Sequence, residues 1–298
     1  MKKNKKGVST TTNGRKNISK KRDIWNRFKR NRNALIGMAI TIIFVFIAVF
    51  APLLVDYDEE VIKVDVPNRL QLPGGEHPLG TDEAGRDILA RLIYASRMSL
   101  AIGVMAVTCS IAAGIVLGSI AGYYGGKIET VIMRICDIFD GVPSFLLALT
   151  ITAAFGASVF TLMLAIAIGG FAGQSRIIRG AVLTVKGQEY VEAAKALGAK
   201  NWQIILHHII PNCIAVIIVQ FSVKIAEGIL TASALSFLGL GVLPPDPEWG
   251  AMLAGGRAYL LDNPYLTLFP GLCIMIVILA FNMLGDGLRD SLDPRLKR

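Results

Sequence analysis

The sequence predicts an all-α polytopic membrane protein with six transmembrane helices, and three observations carry that prediction. Hydrophobic residues make up 53% of the 298-residue chain and the mean hydropathy is +0.54, a balance foreign to soluble globular proteins. Six apolar runs approach or exceed the ~20 residues, at ~1.5 Å rise each, that a bilayer core requires. The net charge of +9 is not spread along the chain: residues 1 to 33 hold thirteen Lys or Arg against the single acid Asp23, which leaves −3 for the rest. The basicity therefore belongs to a tail, and no nucleic-acid groove is implied.

That tail is polar and rich in Gly, Asn, Ser and Thr, so its beginning is expected to be disordered in water. Trp25 and Phe28 suit an interfacial helix lying against anionic lipid headgroups. Ala34 to Val55 is the first span. It is too long for a signal-peptide core and lacks a small-residue cleavage site, so it reads as a retained anchor. Asp56 to Arg97, with its acids, Pro67, Pro73 and turn-rich PGGEHPLGTDEAGRD, must lie outside the hydrocarbon. Ser99 to Gly122 is the second span, and the YYGGKIE turn leads to the third, Thr130 to Ala154. Ala157 to Gly173, Ile214 to Leu235 and Tyr265 to Leu284 complete the set. Between the last two, SFLGLGVLPPDPEWGAMLAGG is broken by Gly239, Gly241 and two prolines, and is expected to form a re-entrant or surface-packed loop at the outer mouth, with Trp249 at the interface.

The division that follows is a basic tail (1–33), an N-terminal span plus external loop (34–94) and a bundle proper (95–298), because one long connection separates the first span from the others. With the N-terminus inside, 24 of the cations fall on the inner side and 6 on the outer. That bias places both termini in the cytoplasm of a multi-pass plasma-membrane protein. Cys109, Cys136, Cys213 and Cys273 are dispersed, with neither a disulfide framework nor a zinc cluster implied.

One polar stretch on the inner side stands out, EYVEAAKALGAKNWQIILHHIIP at 189–211. Strong helix formers run from Glu189 to Leu197, Gly198 tolerates a left-handed stop, and Asn201 can cap a second helix running to Pro211. Ala193 and Ala194 leave a smooth face for close approach by another protein, and Glu192 offers it a carboxylate. The string resembles the coupling loop of ABC importer membrane subunits, E-A-A-x-x-x-G-x9-I-x-L-P, with Glu192, both alanines, Gly198 and Pro211 in register but His208 and Ile210 in place of Ile and Leu. HPLGTDEAGRDILARLIYASRMSL at 77–100, LSFLGLG at 235–241 and FNMLGDGLRDSLDPRLKR at 281–298 extend the resemblance to the dipeptide/oligopeptide (peptide/nickel) branch, and the N-terminal segment resembles the domain peculiar to its C-type subunit.

That resemblance implies a type I ABC importer permease fold and a role in inward transport of di- or oligopeptides, or of nickel or another small solute. It implies as partners a B-type permease subunit, two ATPase subunits that bind ATP and Mg, and an external substrate-binding protein. The sequence agrees with this division of labour, because its Gly126-Lys127 pair lacks the rest of G-x-x-x-x-G-K-[ST]. No cofactor, resident metal or catalytic set is expected in this chain. Asp137 with Asp140, and Lys224 with Glu227, fall inside the third and fifth spans at i, i+3 spacing. They read either as a proton relay, which would make the chain a self-sufficient ion-coupled carrier, or as structural pairs and polar lining. A membrane anchor that recruits a cytoplasmic enzyme through the 189–211 hairpin is a third reading.

Overall fold

The computed structural model describes residues 22–292, and the beginning of the tail and the last six residues lie outside them. Among the described residues the chain is a helical bundle: α1 (Arg32–Leu54), α2 (Ile88–Tyr124), α3 (Gly126–Asp140), α4 (Ser144–Phe155), α5 (Val159–Lys186), α6 (Glu189–Ala196), α7 (Asn201–Phe237), α8 (Trp249–Gly256) and α9 (Tyr265–Leu292). Five of these are long and apolar enough to cross a membrane, and α3 with α4 makes a sixth span if the bent pair is taken as one.

Helix α1 starts where the Asn31 side chain accepts the Ala34 N–H at 3.2 Å. Only 17% of its apolar window is buried, so a narrow stripe docks on the bundle while Ile42, Phe46, Val49 and Leu53 face outward. The docking stripe is made of small residues. A Cβ on Gly37 would lie 2.7 Å from the Ala280 carbonyl of α9, and one on Gly287 of α9 would lie 2.1 Å from the Ala34 Cβ. The segment before α1 is helical over 22–28, and Trp25 is exposed as an interfacial residue would be. Phe28, expected beside it, is instead 3% exposed and lies near Gly287, because the turn at 29–31 folds it under the bundle.

Helix α2 begins at Ile88 and not at Ser99, since Asp87 caps it by accepting the Ala90 N–H at 2.8 Å. Arg91, one of the charges that made 88–97 look like a loop, is neutralised locally. Arg91 is 6% exposed, donates to the Val61 carbonyl at 2.7 Å and lies 3.3 Å from Asp82, which also holds Arg86 at 2.7 Å. At 37 residues α2 is about 55 Å long, well beyond a ~30 Å hydrocarbon core.

The most extensive helix pairing is between α2 and α5, which run parallel. Gly114, Gly118 and Gly122 occupy one stripe of α2 at i, i+4, i+8, and Cβ atoms there would lie 2.6 Å from Gln174, 2.5 Å from the Ser175 carbonyl and 2.8 Å from Val182. Where lipid supplies no hydrophobic drive between helices, such close backbone contact supplies the packing. Helix α7 crosses the same pair further along, with Gly103 against Ile229 and Gly228 against Val107.

The expected third span, Thr130 to Ala154, is not one helix. It breaks between Asp140 and Ser144 with a bend of 78°, because Gly141 and Pro143 end the first segment and start the second. Helix α4, at 12 residues, is about 18 Å long and too short to span alone.

The seam carries a direct prediction. Gly118→Ala forces a methyl into the Ser175 carbonyl and is expected to cost about 1–3 kcal/mol. Gly173→Ala, in the same bundle but with nothing within 4 Å of the new Cβ, is expected to be neutral or stabilising by up to ~1 kcal/mol. Thermal unfolding of the detergent-purified variants reads both, and the reverse order of stabilities would contradict the seam.

Candidate coupling hairpin and intramembrane charges

Helix α6 stops as its sequence dictates. Gly198 takes φ +82, the Ala199 N–H bonds the Ala194 carbonyl at 3.1 Å and the Gly198 N–H bonds the Lys195 carbonyl at 3.0 Å, a complete Schellman closure. The next helix starts one residue earlier than expected. Lys200 is its cap residue, with the Gln203 side chain accepting the Lys200 N–H at 2.9 Å. Asn201 is thereby freed from capping, and its Oδ1 accepts the Tyr123 hydroxyl of α2 at 2.8 Å.

Nor does the helix end at Pro211. A π-helical turn over Ile205–Ile209 widens the coil just before the proline, which enters the first turn of the following α segment where its missing N–H is tolerated. The second arm of the hairpin is therefore continuous with the fifth span through Phe237.

The two alanines of the motif separate. Ala194 is 8% exposed and joins Val191 and Ile204 in the core, whereas Glu189, Glu192, Ala193 and Leu197 are exposed on the other face. The smooth surface offered outward is thus Ala193 with its acidic flanks, and Ala194 is what lets α6 lie close on its own bundle. Tyr123 clamps this arrangement, since its ring carries the ammonium groups of Lys186 and Lys195 at 5.8 and 5.3 Å. His207, on the second arm, has Nδ1 3.1 Å from the Gln203 carbonyl.

The acids of α3 meet arginines of α5. Arg176 donates through Nη2 to Asp137 at 2.8 Å and lies 2.5 Å from Asp140 through Nη1, and Arg134 stands 3.6 Å from Asp137. One turn further, Arg179 Nε donates to Glu129 at 2.6 Å. These contacts bind the bent α3 back to α5. Lys224 and Glu227 pair within α7, Nζ to Oε2 at 2.5 Å.

At the opposite end sits a site that sequence reading missed. Glu248 is fully buried and accepts from Ser99 Oγ at 3.0 Å, Ser233 Oγ at 3.2 Å and the Ala251 N–H at 2.9 Å, so one carboxylate joins α2, α7 and α8. Trp249, expected at the interface, is also fully buried. Its ring N–H donates to the Leu92 carbonyl at 3.2 Å and its ring meets Phe44 edge-on at 5.9 Å, contacts that outweigh a place among headgroups. The only local signal was the close Gly250, whose Cβ would stand 2.2 Å from the Ser233 carbonyl. In the loop beyond, Tyr57 donates to Asp246, and burial, then that bond and the neighbouring charge, push its hydroxyl up to about 12.

Comparison with known proteins bears on this arrangement. Residues 114–298 match the family described as binding-protein-dependent transport system inner membrane component, and residues 19–73 match the N-terminal TM domain of oligopeptide transport permease C. The dipeptide transport system permease protein DppC of Alkalihalophilus pseudofirmus is 46% identical over 94% of this chain and 91% of its own. The glutathione transport system permease protein GsiD of Pectobacterium atrosepticum is 41% identical over 93% and 91%. Among solved structures, an inward-facing MetNI methionine ABC transporter aligns over 68% of this chain and 96% of its own with a TM-score of 0.55 at 15% identity. An amino acid ABC transporter aligns over 67% and 94% with a TM-score of 0.53 at 18% identity. The bundle accordingly has the type I ABC importer permease fold, and the chain belongs to the family of binding-protein-dependent transport system inner membrane components.

Proposed function

We propose that this permease carries short peptides inward, as one of two membrane subunits, on energy from ATP hydrolysed in separate ATPase chains that hold the nucleotide and its Mg. The observation that carries the reading is the hairpin: α6 is closed at Gly198, clamped on α2 through Tyr123 and Asn201, and continuous with a membrane span, while Ala193 and its acidic flanks stay exposed. A surface so held can receive a partner and pass its movement to α2 and α7 as rigid bodies. Peptides are the cargo favoured by the dipeptide and glutathione relatives. The B-type permease is the expected second membrane subunit, and a substrate-binding protein sits on the end formed by residues 55–87 and 238–264.

The secondary-carrier reading draws no support from the acids. Asp137 and Asp140 are held by Arg176, and Glu227 by Lys224, so none stands free for a proton relay.

Two tests follow. Ala193→Trp adds bulk on an exposed face, and is expected to leave expression intact while cutting co-purification of the ATPase subunits about tenfold or more. Ala194→Trp strikes Val191 and Ile204 and is expected to destabilise the hairpin itself. Glu192→Ala is expected to be mild, because one exposed ion pair is worth ~1 kcal/mol or less. Wild-type ATPase binding by Ala193→Trp would refute docking at this face.

Orientation is tested with single cysteines in a background stripped of the four native ones. A membrane-impermeant maleimide is expected to label Asp262→Cys on intact cells and Lys195→Cys only after permeabilisation. The opposite pattern would invert the topology.

A further inference from the structure

Lys224 and Glu227 differ from the charged pairs that Arg176 and Arg179 make in this bundle. Arg176 and Arg179 each reach from α5 to α3, so their pairs hold two helices together. Lys224 and Glu227 lie three residues apart on α7 and pair with each other, so the contact joins nothing. Lys224 stands near the middle of the apolar part of α7, where a charge is costly to keep unless it faces water or a polar surface. The side chains remain 32% and 52% exposed. A tie between helices does not explain them.

Their surroundings do. Both line a small cleft of about 40 Å³ between α2, α4, α5 and α7. Its wall is largely apolar, with Val107 and Ile166, and is interrupted by Gly169, Gly170 and the hydroxyls of Ser110, Ser144 and Thr231. The two glycines bring backbones together there: a Cβ on Gly170 would lie 2.7 Å from Ser110 Oγ, and one on Gly169 would lie 3.0 Å from the Ser144 carbonyl. Hydroxyls and carbonyls thus face a cleft that holds one cation and one anion side by side.

We propose that Lys224 and Glu227 form a transit contact for the zwitterionic backbone of a peptide. The Lys224 ammonium takes the terminal carboxylate and the Glu227 carboxylate takes the terminal ammonium. Between cargoes the two satisfy each other, so the empty path carries no uncompensated charge. Side chains of the cargo meet small residues together with Val107 and Ile166, none of them charged, which suits a path that must pass many sequences. This rests on the peptide-permease reading given above.

The test uses the complete complex in vesicles, with alanyl-alanine as the probe. The neutral double variant Lys224→Met with Glu227→Gln leaves no orphan charge and is expected to assemble with its partners yet take up alanyl-alanine at least tenfold more slowly. Unchanged uptake would overturn the proposal, and so would loss of assembly, which would make the pair structural. A second arm places Glu227→Cys in a cysteine-free complex. A charged methanethiosulfonate reagent is expected to modify it, and turnover with alanyl-alanine is expected to slow the reaction. Modification by a lipid-soluble maleimide alone would place the side chain against lipid and refute the contact. Failure of the unaltered complex to take up alanyl-alanine would count against the peptide reading instead, while the labelling arm would still report whether position 227 meets water.

Discussion

The backbone contact between α2 and α5 is the interaction on which the rest of this structure depends. Gly114, Gly118 and Gly122 remove every side chain from one stripe of α2, so Gln174, Ser175 and Val182 approach it directly. Dispersion forces fall steeply with separation, and in lipid they replace the hydrophobic drive that joins helices in water. Because the pair is so closely packed, what is attached to either end moves with it. At one end α5 leads into α6 through Gly187 and Gln188, while Tyr123 at the end of α2 holds Asn201 on the returning arm. Toward the other end, Ser99 of α2 shares the Glu248 carboxylate with Ser233 of α7. The hairpin and the opposite mouth are thus fastened to the same rigid element.

Charge is arranged around that element in pairs. The bent α3 supplies Glu129, Asp137 and Asp140, and α5 answers with Arg179 and Arg176, whose planar fork can serve two carboxylates at once. Lacking a straight helix to pack along its full length, α3 is held by ion pairs in place of a small-residue seam. Glu248 solves the same problem differently, through two serine hydroxyls and a helix N-terminus, with no cation in contact among the described residues. Tyr57 adds a neutral donor for Asp246 at the loop end.

Much of this was legible in the sequence, and the failures have physical causes. Span existence followed from apolar length, and the stop at Gly198 from the need for a left-handed residue after a run of helix formers. The start of α2 was misplaced because Arg91 and its neighbours looked solvated, whereas Asp82 and the Val61 carbonyl pair Arg91 in the buried state. Pro211 reads as a helix end only if the coil keeps its ordinary pitch, and the π turn at Ile205–Ile209 removes that condition. The role of Ala194 was invisible for another reason: adjacent alanines look alike in sequence, and only the helix phase sends one inward and the other out. Trp249 and Glu248 were lost because Leu92 and Ser99, which fix them on α2, lie about 150 residues away in the chain, beyond the reach of local pattern.

The claim at the centre of this account is that the chain does not power transport but receives its energy from outside, through the hairpin. Uptake of alanyl-alanine into vesicles tests it most directly, comparing the full complex supplied with ATP, the same complex without ATP, and the purified chain alone under a proton gradient. The account predicts uptake only in the first case. Uptake by the chain alone, driven by the proton gradient, would contradict it.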